Sequence, residues 1–209
     1  MSVTTRWWLI RHAPVVNHGG RIYGHTDVDA DTGNRKAFRA LAAVLPARPV
    51  YVVTPLKRTT QTLAALVSAQ GDRSGLVVPV IEPDLMEQNF GVWQGLTHAE
   101  VHQQRGDEAH RFWLSPARER PENGESFTEV VDRVNAAMAI LSDDHAGRDI
   151  VAVVHGGVIR AALAVALGID PEAALRFSVD NLSLTRLVHY APGDASPPVW
   201  GVERVNAVP

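Results

Sequence analysis

Short apolar runs recur along the chain at strand length, and between them apolar positions repeat at helical spacing. Trp7-Trp8-Leu9-Ile10 reads as a first buried strand and Val50-Tyr51-Val52-Val53 as a second. Val77 to Ile81 reads as a third, with Pro79 pointing to a sheet edge because proline cannot donate to a ladder. Ile150 to Val154 is as apolar as the second run, and Leu182 to Tyr190 and Val199 to Val205 resemble a closing strand pair around a Pro/Gly-rich turn.

Helical periods fill the intervals. Arg35 to Leu45 places Phe38, Leu41, Ala42 and Leu45 on one face and stops before Pro46. Thr54-Pro55 is expected to open a helix, with threonine as cap and proline in the first turn, where its missing N–H has no helical partner. Leu56, Thr60, Leu63, Leu66 and Val67 would form its inner face. Ser126-Phe127-Thr128-Glu129 is a capping-box pattern, followed by the stripe Phe127, Val130, Val131, Val134, Met138 and Leu141. His155-Gly156-Gly157 leads into a helix to Leu167, closed by Gly168. Residues 96–120 are polar, rich in His and Arg, and weakly patterned, as expected of short helices inserted over a sheet as a cap. Strands alternating with helices predict an α/β chain: a three-layer α/β/α sandwich whose mostly parallel sheet is covered on both faces. The whole of residues 1–209 is read as one domain.

Composition narrows the function more than the fold. A net charge of -3 lacks the basic excess that would attract nucleic acid or a membrane surface, although a local cluster of cations needs no net positive charge. The absence of cysteine excludes disulfides, thiolate nucleophiles and zinc-thiolate sites. Trp7 to Ile10 is too short for a signal peptide, and the apolar stretch Val158 to Ile169 is broken by Arg160 and too short to span a bilayer. Cytoplasmic residence is the expectation; the sequence carries no signal of oligomeric state.

In parallel sheets of this kind, ligands bind beyond the carboxyl ends of the strands. Arg11 and His12 sit just past the first strand, Arg58 just past the second, Glu87 a short loop beyond the third, and His155 just past the Ile150 strand. These side chains form one candidate site. Two guanidiniums match phosphate oxygens and stay charged at any working pH. His12 supplies a nitrogen nucleophile that works only when neutral, and nearby arginines favour that neutrality. His155 is expected to donate to the equatorial oxygens, and Glu87 to protonate the leaving oxygen, like-charge repulsion from a bound phosphate dianion keeping it protonated beforehand. Attack by His12, with Arg11, Arg58 and His155 on the equatorial oxygens, then hydrolysis of a phosphohistidine with Glu87 as base, would split one displacement into two. Fixed cations take the place of a metal, so neither metal nor cofactor is expected. Tyr23 is a candidate pocket wall, and Gly24 and Gly156 are candidate phosphate-side turns.

These residues also carry a resemblance. Leu9-Ile10-Arg11-His12-Ala13 is similar to the signature of the histidine phosphatase (phosphoglycerate mutase-like) superfamily, whose usual run is Arg-His-Gly. Arg21 with Gly24 and Asp27 resembles its phosphate-wrapping loop, and Thr54 to Thr62 its second-arginine helix. Leu85-Met86-Glu87, Phe90-Gly91 and Trp93-Gln94-Gly95 resemble its catalytic-acid loop, Gly124-Glu125-Ser126 a further element, and Val153 to Arg160 its second-histidine turn. The motifs occur in family order from about residue 9 to 188. The resemblance implies a phosphoglycerate mutase-like fold and a metal-independent phosphomonoesterase acting on a small phosphorylated metabolite.

Departures bear on the branch. Ala13 stands for the usual glycine, Pro14 where many members have glutamate or glutamine, and His18 at a common asparagine position, one after Asn17. Mutases usually carry His-Gly-Asn, where this chain has His155-Gly156-Gly157, and tyrosine at the place of Phe90. These features favour a hydrolase over a phosphoglycerate mutase, and Ile22 to Asp27 resembles the branch that includes alpha-ribazole phosphatases. A non-catalytic phosphoryl-binding protein is the remaining rival, disfavoured because nucleophile and acid are both present. No Gly-x-Ser-x-Gly elbow or P-loop run occurs. His98 and His102 are spaced like metal ligands on a helix but read better as a solvated face. So do Arg105, Arg111, Arg118 and Arg120, and Trp93 and Trp113 read equally well as cap packing or substrate cover.

Overall fold

The computed structural model describes residues 2–17, 19–71, 77–105, 115–193 and 196–208. Six strands form one sheet: β1 (Val3–Arg11), β2 (Val50–Val53), β3 (Val80–Ile81), β4 (Asp149–Val154), β5 (Leu184–Ala191) and β6 (Val199–Ala207), in the order β3-β2-β4-β1-β5-β6. Pairings β3-β2, β2-β4 and β4-β1 are parallel, and β5 runs antiparallel to both β1 and β6. The sheet is therefore mostly parallel, as predicted.

Burial follows position in the sheet. β2 and β4 lie between other strands and are covered on both faces, so Val50–Val53 and Ile150–Val154 are all buried; this explains why they read as continuous apolar runs. Alternate residues serve two cores. Ile150, Ala152 and Val154 face α4 (Phe127–Asp144) and α5 (Gly156–Leu167) with Val130, Val134, Met138 and Leu163. Val151 and Val153 face α1 (Arg35–Val44) and α2 (Lys57–Gln70) with Phe38, Leu41, Leu63 and Leu66. The predicted three layers are these.

Several boundaries differ from expectation. β1 begins at Val3 because it pairs with β5 along Val3–Ile10, which recruits the polar residues before Trp7. β3 shrinks to two residues after Pro79. The α2 helix starts at Lys57, and Thr54 is not its cap. The Thr54 hydroxyl lies 3.0 Å from His155 Nε2, 3.2 Å from Thr59 Oγ1 of α2 and 3.4 Å from Leu56 N, so it ties the start of the helix to the site. Thr60, expected on the inner face of α2, is exposed, and Thr59 and Thr62 are buried in its place. Ser126 and Glu129 close a reciprocal capping box at α4, and Gly168 ends α5 in the left-handed conformation. A short α6 (Pro171–Ala174) follows. Of the expected cap, α3 (His98–Arg105) and residues 115–120 are described, with His98 and His102 both exposed. His18, Arg111 and Trp113 lie outside the described residues. Among the described residues no helix is long and apolar enough to cross a membrane.

Candidate active site

β1 and β4 are paired in parallel with Arg11 opposite Val154. The next residue of each strand is a histidine, and His12 N–H donates to Val154 O at 2.9 Å. The two imidazoles stand 5.3 Å apart between ring centroids and are both fully buried. α2 joins them from the side: Ala13 N–H donates to Thr62 Oγ1 at 2.9 Å, and Thr62 Oγ1 donates to the carbonyl of Arg58 at 2.6 Å. Asn181 Nδ2 donates to His12 O at 2.8 Å, fixing the His12 backbone from the other side.

The hydrogen bonds dictate the proton positions. His12 Nδ1 is 2.6 Å from Ala13 O. A carbonyl only accepts, so Nδ1 carries the proton and Nε2 keeps a lone pair. That Nε2 is buried and has no hydrogen-bond partner. Burial, with the nearby charges of Arg58 and Arg11, lowers the His12 pKa to about 3 in spite of the bond to Ala13 O. His12 is thus neutral across the ordinary pH range.

His155 is the converse case. Arg58 Nε donates to its Nδ1 at 3.2 Å, so the ring proton lies on Nε2, facing Thr54 Oγ1. Burial first, then Arg58, His12 and more distant cations, hold its pKa well below the usual value. Arg58 is 0% exposed. Besides His155 it donates to Thr26 O at 3.0 Å and Gly24 O at 2.6 Å, and its Cζ lies 4.9 Å from the Tyr23 ring centroid. Gly24 therefore serves the site through its carbonyl. Its φ of +41° and a backbone oxygen (Gln88) 2.8 Å from where a Cβ would sit leave room only for glycine. Arg11 donates from Nη1 to Val179 O at 2.6 Å, and its buried Nε, beside Gly156, has no partner.

Glu87 lies at the start of α5, where its carboxylate accepts from Gly157 N–H at 3.2 and 3.3 Å. A Cβ at position 157 would overlap Glu87 Oε1, so glycine there lets the carboxylate reach the helix N-terminus. Next to it opens a cleft of about 180 Å³ lined by Phe90, Trp93, Phe127, Leu175 and Arg160. Every residue singled out for the site lies in this one region.

Besides Asn181, three side chains at this site were not singled out from the sequence. Arg160 faces the cleft one helical turn after Gly156, with Nε on Phe177 O at 2.8 Å. His25 Nε2 lies 2.7 Å from Glu87 O. Arg133 Nη2 donates to the same carbonyl at 3.2 Å. The i, i+4 spacing from Gly156 was a readable signal for Arg160; His25 and Arg133 carried none. Arg105 and Arg120 are paired with Glu119 and Glu129.

Comparison with known proteins points to one family. The family model of the histidine phosphatase superfamily (branch 1) matches residues 7–200. A glucosyl-3-phosphoglycerate phosphatase of Mycobacterium tuberculosis is 35% identical over 215 residues, covering 95% of this chain and 93% of its own. A solved native structure of a mycobacterial glucosyl-3-phosphoglycerate phosphatase superposes with a TM-score of 0.82 at 27% identity, covering 98% of this chain and 99% of that one. A 2,3-bisphosphoglycerate-dependent phosphoglycerate mutase of Gloeobacter violaceus is 29% identical over 194 residues, covering 90% of this chain and 87% of its own. With its phosphoglycerate mutase-like sheet, its motifs and this match over nearly the whole length, the chain belongs to the histidine phosphatase superfamily, branch 1.

Proposed function

We propose that the protein hydrolyses a small phosphate monoester through a phosphohistidine on His12. The observation that carries this reading is the His12 imidazole: neutral, its Nδ1 committed to Ala13 O, its Nε2 lone pair buried and unpartnered near the guanidiniums of Arg58, which is buried, and Arg11, which is partly exposed. In the first step the Nε2 lone pair forms a bond to phosphorus. The bond from phosphorus to the ester oxygen breaks, its electron pair stays on oxygen, and Glu87 supplies the proton that makes the leaving group an alcohol. In the second step Glu87 takes a proton from water, the water oxygen bonds to phosphorus, and the P–N pair returns to Nε2. Arg11 and Arg58 hold the oxygens on which charge gathers. His155, expected as the donor to a third oxygen, accepts from Arg58 Nε on Nδ1 and keeps its proton toward Thr54, so in this arrangement it holds the Arg58 guanidinium in place and has no N–H free for the phosphoryl group.

The leaving group would occupy the cleft beside Glu87, where Phe90, Trp93, Phe127 and Leu175 offer apolar surface and Arg160 a cation. This suits an organic moiety bearing an anionic group, consistent with a substrate like that of the glucosyl-3-phosphoglycerate phosphatases; alpha-ribazole phosphate is the second candidate. Residues 96–120 would act as the cap over this cleft. A mutase reading has a relative in its favour, but Gly157 and Phe90 stand where mutases usually carry asparagine and tyrosine. The test is phosphate release from glucosyl-3-phosphoglycerate, alpha-ribazole phosphate and p-nitrophenyl phosphate, run beside interconversion of phosphoglycerates. Release from monoesters is expected; interconversion without release would overturn the hydrolase reading.

A further inference from the structure

The reading of Glu87 as proton donor leaves open what aims it. Glu87 sits on a loop and not on a regular element, yet a proton donor displaced by about 1 Å loses much of its effect. The loop's own contacts answer the question. Arg133, on the second turn of α4, forms a two-pronged ion pair with Glu125: Nε to Oε2 at 3.0 Å and Nη2 to Oε1 at 2.9 Å. Both side chains are mostly shielded, at 19% and 18% exposure, so the pair is held more firmly than a solvated one. The remaining donors of the guanidinium point into the acid loop, Nη1 to Asp84 O at 2.6 Å and Nη2 to Glu87 O at 3.2 Å.

Glu125 grips the other end of the loop. Its Oε1 accepts from Asn89 N–H at 2.8 Å, its own N–H donates to Asn89 O at 2.9 Å, and its carbonyl accepts from Gln88 Nε2 at 2.9 Å. Residues on both sides of Glu87 are thus bound to one ion pair anchored beside the capping box of α4. The carbonyl of Glu87 itself is taken by Arg133 and His25, which leaves its side chain directed to Gly157.

We infer that the Glu125–Arg133 pair is the positioning device for Glu87, setting the reach of its carboxyl toward the leaving oxygen. The inference rests on the proposed role of Glu87 and adds residues that touch neither the phosphoryl group nor the nucleophile. It has a signature that scaffolding lacks. Protonation matters little when the leaving group is a stable anion such as p-nitrophenolate, and matters greatly when it is an alkoxide.

The test is kcat/KM for Arg133→Met, Glu125→Gln and Glu87→Gln across aryl and alkyl phosphates of graded leaving-group basicity, with thermal unfolding of each variant. Arg133→Met is expected to lose about tenfold with p-nitrophenyl phosphate and about a hundredfold or more with alkyl phosphates. Glu87→Gln should be steeper still, and adding Arg133→Met to it should cost little more, since both act through one carboxyl. Should Arg133→Met fold poorly, Arg133→Lys and Glu125→Gln read the same dependence with the charge or the shape retained. A uniform loss across leaving groups in the clamp variants, beside a steep Glu87→Gln, overturns the clamp and spares the acid. A flat Glu87→Gln series overturns the role of Glu87 and the clamp with it.

Discussion

His12 and His155, 5.3 Å apart between ring centroids, hold their protons on opposite nitrogens. His12 donates from Nδ1 to Ala13 O and shows its Nε2 lone pair to the site. His155 accepts from Arg58 on Nδ1 and keeps its proton toward Thr54. One imidazole thereby presents a lone pair to the site, and the other holds a guanidinium in place.

Replacing His12 by alanine should reduce turnover by roughly three orders of magnitude or more, as for loss of a covalent nucleophile. Rapid-quench labelling with a radioactive phosphate ester should leave an acid-labile phosphoryl group on the wild type and none on the variant. Turnover near normal in His12→Ala would remove the mechanism.

Arg58→Lys should fail to substitute. The buried guanidinium reaches His155, Thr26 and Gly24 at once, and a single ammonium cannot copy that fork. We expect kcat/KM for p-nitrophenyl phosphate to fall about a hundredfold, with a lower thermal midpoint. Activity within a few fold of wild type would show that the fork is dispensable.

Stability should depend on pH through the buried histidines. In the folded chain the His12 pKa is lowered to about 3, and those of His155 and His189 are lowered too, burial being the largest cause in each case. In the unfolded chain they titrate near their ordinary value of about 6.5. Below that value the unfolded state binds more protons, so stability is full above it and falls as pH drops, for His12 down to about 3, by up to about 1.4 kcal/mol per pH unit for each histidine while its folded form stays neutral. Urea midpoints between pH 7.5 and 5 should fall in the wild type, and less steeply in His12→Asn and His155→Asn. An equal slope in the variants would contradict the assignment.

Gly157→Ala separates activity from stability. The added methyl overlaps Glu87 Oε1 and must push the carboxylate away. Alanine suits a helix better than glycine, by up to about 1 kcal/mol. The variant should therefore melt no lower than wild type while losing about tenfold or more in kcat. Full activity would mean that the bond from Gly157 N–H to Glu87 is incidental.

The strands and the members of the candidate site were legible because burial on both faces of β2 and β4 writes itself as unbroken apolar runs, and because strand ends point to the ligand side. Thr54 misled for a physical reason: a threonine before a proline has the chemistry of a cap, and only the fold reveals that His155 claims its hydroxyl. His25 and Arg133 were invisible because their work is done on the backbone carbonyl of Glu87, a partner that every residue possesses and no motif can flag. β1 was read too short because its first residues are secured by β5, a strand remote in sequence.

The ladder between β1 and β4 has one more implication. Because His12 and His155 each follow directly on an aligned strand pair, the gap between the imidazoles is inherited from the roughly 4.8 Å repeat of neighbouring strands. Loops around the site can lengthen, shorten or change composition without moving the His12 ring relative to its companion. The spacing of the reactive pair is a lattice constant of the sheet, and substrate preference is free to drift around it.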